Sequence, residues 1–373
     1  KDFDNTENLY IEGDNLEVLK LLQETYLGKV KMIYIDPPYN TGQDFVYKDN
    51  FTQAKAEYDE ESGNIDGEGG RLVSNPDSNG RYHSDWLSMM YPRLKLARNL
   101  LKDDGVIFVS IDENEIFNLR SLMNEVFGNN SFIESIIWKN KYGAGAKTKG
   151  FISTHEYVLC FSKTSIENIE GPLGESQLKA HNKKDDNYAV RGPYRTQPVQ
   201  TKSLGDRPNL KYSIKFNGDE IWPDKQWVWS ESRMIKSIEN NEVEIDKRAD
   251  GSYSVRSKQY LKDINGVQRK GKPLSVMNGP FTQEGTAEMR ALFNNDIFPF
   301  PKPSNLIKYF LDLTINGNDN RESIFLDFFS GSATTAHAVM QLNAEDGGKR
   351  KFIMAQIPEA TDEKSEAYKA DYK

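Results

Sequence analysis

Met32–Gly42, MIYIDPPYNTG, decides how the chain is read. From Val30 to Asp36 the run VKMIYID is almost continuously apolar. That is the pattern of a parallel strand covered on both faces, not of a half-exposed strand that alternates. The run ends in an acid, two prolines and an aromatic ring, although a strand that only had to stop could use any turn chemistry. Pro37 and Pro38 stiffen the backbone. A carboxylate, a fixed carbonyl and a flat ring are therefore presented together at the end of a buried strand.

Outward from this point the same grammar repeats. NLYIEGD (Asn8–Asp14) is a short apolar run, and in NLEVLKLLQETY the residues Leu16, Leu19, Leu22 and Tyr26 share one helical face. A polar stretch from Asp49 to Asn79 reads as a loop or lid. MMYPRLKLARNLL reads as a helix with Pro92 near its first turn, and GVIFVSID as another buried strand. ENEIFNLRSLMNEVF is a helix closed by Gly128, and SFIESIIWKN and HEYVLCFSK are two more strands. From about Ser165 to Phe298 the alternation fades and Trp222, Trp227 and Trp229 cluster. Then PSNLIKYFLDLTI forms a helix with Ser304 as N-cap, SIFLDFFSGSATTAHAVMQL a strand, turn and helix, and KRKFIMAQIPE a last strand. The expected fold class is α/β, a doubly wound sheet interrupted by an inserted domain, in blocks 1–164, 165–298 and 299–373.

The bulk numbers bound the function. The chain has 373 residues, 28% of them charged, and a net charge of -8. No apolar run approaches the roughly 20 residues of a membrane span, and KDFDNTENLY lacks the apolar core of a secretory signal. The one cysteine, Cys160, cannot form an internal disulfide, which fits a reducing cytoplasm; with four histidines beside it, a structural zinc site is not expected. The negative total excludes a protein coated in positive charge but not a local basic cleft.

The second chemical loop is DFFSGSATT, Asp327–Thr335. Gly331, Ser332 and Ala333 let backbone approach a ligand closely, and a helix opening at Thr334 presents free N–H groups. No Gly-Lys-Ser/Thr follows, so it is not a phosphate loop. Ligands of open α/β sheets bind beyond the carboxyl ends of the strands, so both loops can face one crevice. The pairing suits methylation of an exocyclic amine. Asp36 and the Pro37 carbonyl accept its two N–H groups, and Tyr39 stacks on the base, worth about 1–3 kcal/mol. The base is flipped out of the duplex to reach them. The electrophile is the sulfonium methyl of S-adenosylmethionine, held by the second loop, and no metal is required.

WKNKYGAGAKTKG carries Lys139, Lys141, Lys147 and Lys149 among glycines, a flexible basic loop suited to DNA phosphates. Arg191 and Arg195 extend that expectation into the insert, with Arg248 and Arg256 weighed equally as a charged face. Trp138 is weighed equally between holding the flipped base and core packing, and His155 is read as a hydrogen-bonded structural residue.

DPPY followed downstream by a DxFxGSxTT turn resembles the amino-methyltransferases of DNA. The order, catalytic motif first and an insert between, is similar to the β-class N6-adenine enzymes. Longer stretches such as IEGDNLEVLK, IDPPYNTGQDFVYKDNF, GRYHSDWLSMMYPRLKLARNLL and IPEATDEKSEAY resemble the Mod subunit of type III restriction–modification systems. Such subunits are typically longer at both ends, so the chain is read as part of one. The resemblance implies a Rossmann-like sheet in circularly permuted order, an insert acting as target-recognition domain, S-adenosylmethionine as cofactor and double-stranded DNA as substrate. It also implies a homodimer and a Res helicase-nuclease partner. Asp36, Pro37, Pro38 and Tyr39 are implied in catalysis. Asp14 and Asn15 are implied near the cofactor's adenine, and Lys302, Ser304, Asn305 and also Asp36 near its methionine. Asp327, Phe329, Gly331, Ser332 and Thr334 shape the rest of that pocket. Two residues depart from the family pattern: Ala333 stands where glycine is usual, and Gln356 where an acid commonly binds the ribose, with Glu359 as a substitute. Two alternatives stay open, an orphan or phage adenine methyltransferase without a restriction partner, and a subunit acting mainly as a DNA-specificity module.

Overall fold

The computed structural model describes residues 5–42, 45–47, 72–74, 80–143, 150–166, 168–201, 205–314, 321–358, 361 and 363–370. Lys147, Lys149, Glu359 and most of the polar stretch 49–79 lie outside the described residues. The chain divides into two units, Lys1–Gly171 with Lys272–Lys373, and Pro172–Gly271.

In chain order the strands are β1 (Leu9–Glu12), β2 (Val30–Ile35), β3 (Phe45–Tyr47), β4 (Leu72–Ser74), β5 (Leu101–Ile111), β6 (Phe132–Lys139), β7 (His155–Ser162), β8 (Tyr194–Pro198), β9 (Ile214–Phe216), β10 (Asp219–Ile221), β11 (Val243–Lys247), β12 (Tyr253–Tyr260), β13 (Val276–Asn278), β14 (Ile324–Asp327) and β15 (Lys351–Gln356). The helices are α1 (Asn15–Tyr26), α2 (Tyr82–Leu100), α3 (Ile116–Phe127), α4 (Glu175–Ala180), α5 (Tyr188–Arg191), α6 (Glu231–Glu239), α7 (Thr282–Phe293), α8 (Ser304–Thr314), α9 (Thr334–Asp346) and α10 (Glu366–Lys369).

The first unit is built on an eight-stranded sheet in the order β1-β15-β14-β2-β5-β7-β6-β13. The strands from β1 to β5 in that order are parallel, and β7 runs antiparallel to both neighbours. β2 shows why both faces are covered. Met32 and Tyr34 join a core with Phe310 of α8 and Ala338 of α9, while Ile33 and Ile35 join one with Leu19, Trp86 and Leu119 of α1, α2 and α3. Each such side chain contributes about 1.5–3 kcal/mol by leaving water. This is the doubly wound sheet that the sequence predicts.

From β14 the chain leaves through α9 to β15, and from β2 it proceeds to β5 on the other side. The neighbours β14 and β2 therefore form a topological switch, where an open α/β sheet has its crevice. Asp36 follows β2 and the 328–333 turn follows β14. Because β7 is antiparallel, its first residues reach the same edge.

Three local expectations change. α2 begins at Tyr82, so Pro92 lies inside the helix and not in its first turn; the buried face already starts at Trp86, ahead of the stretch read as helical. Ser304 is the first helical residue, and its N–H is accepted by Glu288 at 3.0 Å, so the capping oxygen comes from another helix. The insert, placed by sequence at 165–298, is the shorter unit Pro172–Gly271. β13 pairs with β6 in the main sheet, so 272–298 belongs to the first unit.

The second unit holds the antiparallel sheet β11-β12-β8 and the hairpin β9-β10. Its core gathers Val199, Ile214, Trp227, Met234 and Val255. The tryptophans separate there: Trp227 is buried and donates to the Tyr212 carbonyl at 2.8 Å, while Trp222 is exposed. Among the described residues no helix is long and apolar enough to cross a membrane.

Candidate active site

The loop after β2 is fixed from α2 and α3. Buried Trp86 donates its indole N–H to the Pro38 carbonyl at 2.8 Å. Asn40 takes φ 58°, a left-handed conformation that asparagine tolerates better than most residues. Its side-chain amide donates to Glu115 Oε1 at 2.6 Å. Glu115, also buried, accepts from His83 Nδ1 at 2.6 Å and Asn118 Nδ2 at 2.7 Å. The Tyr82 hydroxyl donates to the Asn40 carbonyl.

On the crevice side Asp36 and Tyr39 meet Lys302. Lys302 Nζ lies 2.9 Å from Asp36 Oδ2 and donates to the Tyr39 hydroxyl at 2.9 Å. Glu156, at the start of β7, accepts from the Tyr39 hydroxyl at 3.1 Å and stands 3.7 Å from Lys302 Nζ. Its other oxygen accepts from Asn140 Nδ2 at 2.7 Å. Burial acts to lower the Lys302 pKa, but Asp36 and Glu156 outweigh it, so the ammonium is held above its ordinary value. Burial, reinforced by the same carboxylates, pushes the Tyr39 phenol well up. Asp36 Oδ1 is buried and has no hydrogen-bond partner among the described residues.

Lys302 is placed by its backbone. Gly285 of α7 packs so closely that a Cβ there would fall 2.3 Å from the Pro301 carbonyl oxygen and 3.0 Å from Lys302 C. Thr334 Oγ1 donates to the Lys302 carbonyl at 3.1 Å, tying this segment to the second loop.

That second loop is equally constrained. Asp327 is buried and accepts from the Phe329 N–H at 3.1 Å and from Thr335 Oγ1 at 2.7 Å. Burial pushes its carboxyl up to about 7. Gly331 has φ 47° and Ala333 φ 58°. Alanine thus keeps the left-handed turn that glycine adopts freely, at a conformational cost. Gln356 Oε1 accepts from the Gly331 N–H at 2.9 Å, so this glutamine holds the loop. Ser332 Oγ bonds Thr334 Oγ1 at 2.9 Å, and Phe329 is buried against Phe328. Asn15 is buried and donates to the Phe328 carbonyl at 2.8 Å, while Asp14 caps α1 through Leu16 N–H and Glu17 N–H. Asn15 thus adjoins the second loop.

Asn305 is exposed on α8. Trp138 is fully buried with its N–H on the Pro280 carbonyl, which makes it a core residue and not a clamp for a base. His155 meets the Tyr157 hydroxyl at 3.2 Å. Lys139 is half-buried and Lys141 exposed. The expectation that Arg191 faces DNA is corrected: it is buried, bonds Glu242 at 3.2 Å and lies 3.9 Å from the Tyr260 ring centre. Arg195 donates to Gln259 at 3.0 Å. The second unit does carry a polar cleft of about 650 Å³ whose lining includes Gln200, Trp222, Lys225, Arg248, Ser254 and Arg256.

Trp86, Glu115 and Glu156 escaped sequence reading. The available signal for Glu156 was an acid opening the otherwise apolar run YVLCF.

The chain is 37% identical over 372 residues to the type III restriction-modification enzyme StyLTI Mod subunit of Salmonella typhimurium, covering 99% of this chain and 55% of that subunit. It is 34% identical to the EcoPI Mod subunit of Escherichia phage P1, covering 99% and 60%. It is 29% identical to the type II methyltransferase M.KpnI of Klebsiella pneumoniae, covering 99% and 85%. The chain thus spans a little over half the length of the two Mod subunits. A family model described as DNA methylase matches residues 30–366, from β2 through the loop after it, the insert and the second loop to α10, and the chain belongs to that family.

Proposed function

We propose that this chain carries the catalytic and target-recognition parts of a site-specific DNA adenine-N6 methyltransferase that uses S-adenosylmethionine, as the modification subunit of a type III system. The observation that carries the reading is Asp36: one oxygen is held by Lys302, and the other is buried with no hydrogen-bond partner among the described residues. A buried carboxylate oxygen is costly unless something donates to it, and an exocyclic amine supplies that donor.

The residues present fit the cofactor. The 328–333 turn at the switch point is held in a tight left-handed form by Asp327 and Gln356, with only small side chains at Gly331, Ser332 and Ala333. When bound, S-adenosylmethionine supplies an electrophilic methyl on a sulfonium. Asp36 and the Pro37 carbonyl orient the adenine amine so that its lone pair faces the methyl donor. As the N–C bond forms and the methyl–sulfur bond breaks, its electron pair staying on what becomes a neutral thioether, positive charge grows on the nitrogen and the Asp36 carboxylate stabilises it. The amine then releases one proton to Asp36 Oδ1, and the electron pair returns to nitrogen. Tyr39 is fixed at its hydroxyl, which leaves its ring to stack on the flipped base. Adenine is favoured over cytosine-N4 because cytosine enzymes tend to carry Ser where Asp36 stands.

The insert is the proposed target-recognition domain, with Arg248 and Arg256 as candidate DNA contacts on a cleft that also holds Glu220, Asp224 and Asp250. A homodimer, a Res partner and a cytoplasmic location complete the proposal. A second reading, a modification enzyme acting without Res, is favoured by the long coverage of the Klebsiella type II relative. Methyl transfer from labelled cofactor to plasmid DNA, with sequencing of the methylated bases, tests the function. Asp36→Ala should abolish transfer and retain specific duplex binding; equal loss of both contradicts the assigned division of labour.

A further inference from the structure

We propose that Glu156 is a positioning residue of the methyl-transfer site, sharing Lys302 with Asp36 so that the free Asp36 oxygen stays strongly negative toward the target amine. The inference rests on the adenine methyltransferase reading above.

The side chains around Lys302 Nζ define the charge balance. Asp36 Oδ2 lies at 2.9 Å, the Tyr39 hydroxyl at 2.9 Å and Glu156 Oε2 at 3.7 Å. The rings of Tyr39 and Trp138 lie 5.0 and 6.0 Å away. One cation thus serves two carboxylates. With Asp36 alone, the ammonium would form a closed one-to-one pair and cancel most of the carboxylate's field. Glu156 draws part of that charge away, and the cluster keeps a net negative charge for the positive nitrogen that develops during transfer. Its effect belongs to the transition state more than to ground-state binding.

Geometry makes Glu156 suited to this. It opens β7, the antiparallel strand that returns to the crevice edge, and Asn140 Nδ2 fixes its far oxygen at 2.7 Å. Through the Tyr39 hydroxyl it also orients the ring expected to stack on the base. Glu156 reaches no predicted substrate atom itself and acts through Lys302 and Tyr39.

The test uses the full-length protein and a duplex bearing its methylation site, found by sequencing methylated adenines from expressing cells. Single-turnover transfer is measured at saturating cofactor and DNA, beside duplex affinity and melting temperature. Glu156→Gln should slow transfer about tenfold with duplex affinity changed less than twofold. In a Lys302→Met background the same change should slow transfer about threefold or less, the share carried through Tyr39, because the rest acts through that lysine. Glu156→Asp keeps the charge and shortens the side chain, so it should retain more activity than the isosteric Gln. A role in packing alone reverses that order, which decides the matter even if a variant is less stable. An unchanged rate in Glu156→Gln, an equal loss in both backgrounds, or Gln outperforming Asp overturns the inference. If the wild-type protein transfers no methyl to adenine, the underlying reading fails instead.

Discussion

Asp327→Asn should flatten the pH dependence of the first unit's stability. Asp327 ends β14, is buried, and has its carboxyl pushed up to about 7, first by burial and further by the nearby charge of Asp36. In the unfolded chain it titrates near 3.9. The folded state therefore holds the proton more tightly, so this contribution is fully present below about pH 4 and drains away as pH rises to about 7. Each pH unit is worth up to about 1.4 kcal/mol, flattening as pH nears 7, which makes roughly 2 kcal/mol between pH 5 and 7 and somewhat under 3 by pH 8. Asparagine cannot titrate and keeps the geometry: its oxygen can accept from the Phe329 N–H and its amide can donate to Thr335 Oγ1, the two partners Asp327 now has. Urea midpoints at pH 5 and pH 8, with hydrogen exchange over 324–346 to isolate this unit, measure the effect. The wild type should lose about 3 kcal/mol more than the variant over that interval. Parallel pH dependences, or a variant less stable at pH 8, would refute the burial argument.

Ala333→Gly should raise the melting temperature by about 1–3 °C. The left-handed alanine at φ 58° costs about 1–2 kcal/mol, and glycine's added freedom in the unfolded chain returns about 0.4–1 of it; an unchanged or lower melting temperature counts against strain at this turn. Gly285→Ala should slow methyl transfer while duplex binding persists, because the new methyl would fall 2.3 Å from the Pro301 carbonyl oxygen and push Lys302 away from Asp36. Wild-type transfer kinetics in that variant would show that Lys302 does not depend on this close packing.

The parts of the fold that were legible are those whose own residues carry the signal. β2, β14 and β15 are apolar runs because both their faces are covered, and the loops after β2 and β14 announce themselves by rigid and small residues. The insert's end was not legible. β13 has three residues, Val276–Asn278, with only Met277 buried, and α7 reads TQEGTAEMRALF, too polar to signal a helix that braces Lys302. The active-site cluster was half legible for a related reason. Asp36 and Tyr39 belong to one motif, but Tyr39 meets Glu156 from 117 residues away and Lys302 from 263 residues away. Periodicity reports which face of a strand a side chain occupies; it says nothing about which end of that strand reaches the crevice. For β7 that depends on direction alone. Run parallel to β5, it would bring Ser162 to the crevice edge; run antiparallel, as it does, it brings His155 and Glu156. An acid at the start of that strand is therefore a surface residue in one topology and a partner of the lysine paired with Asp36 in the other.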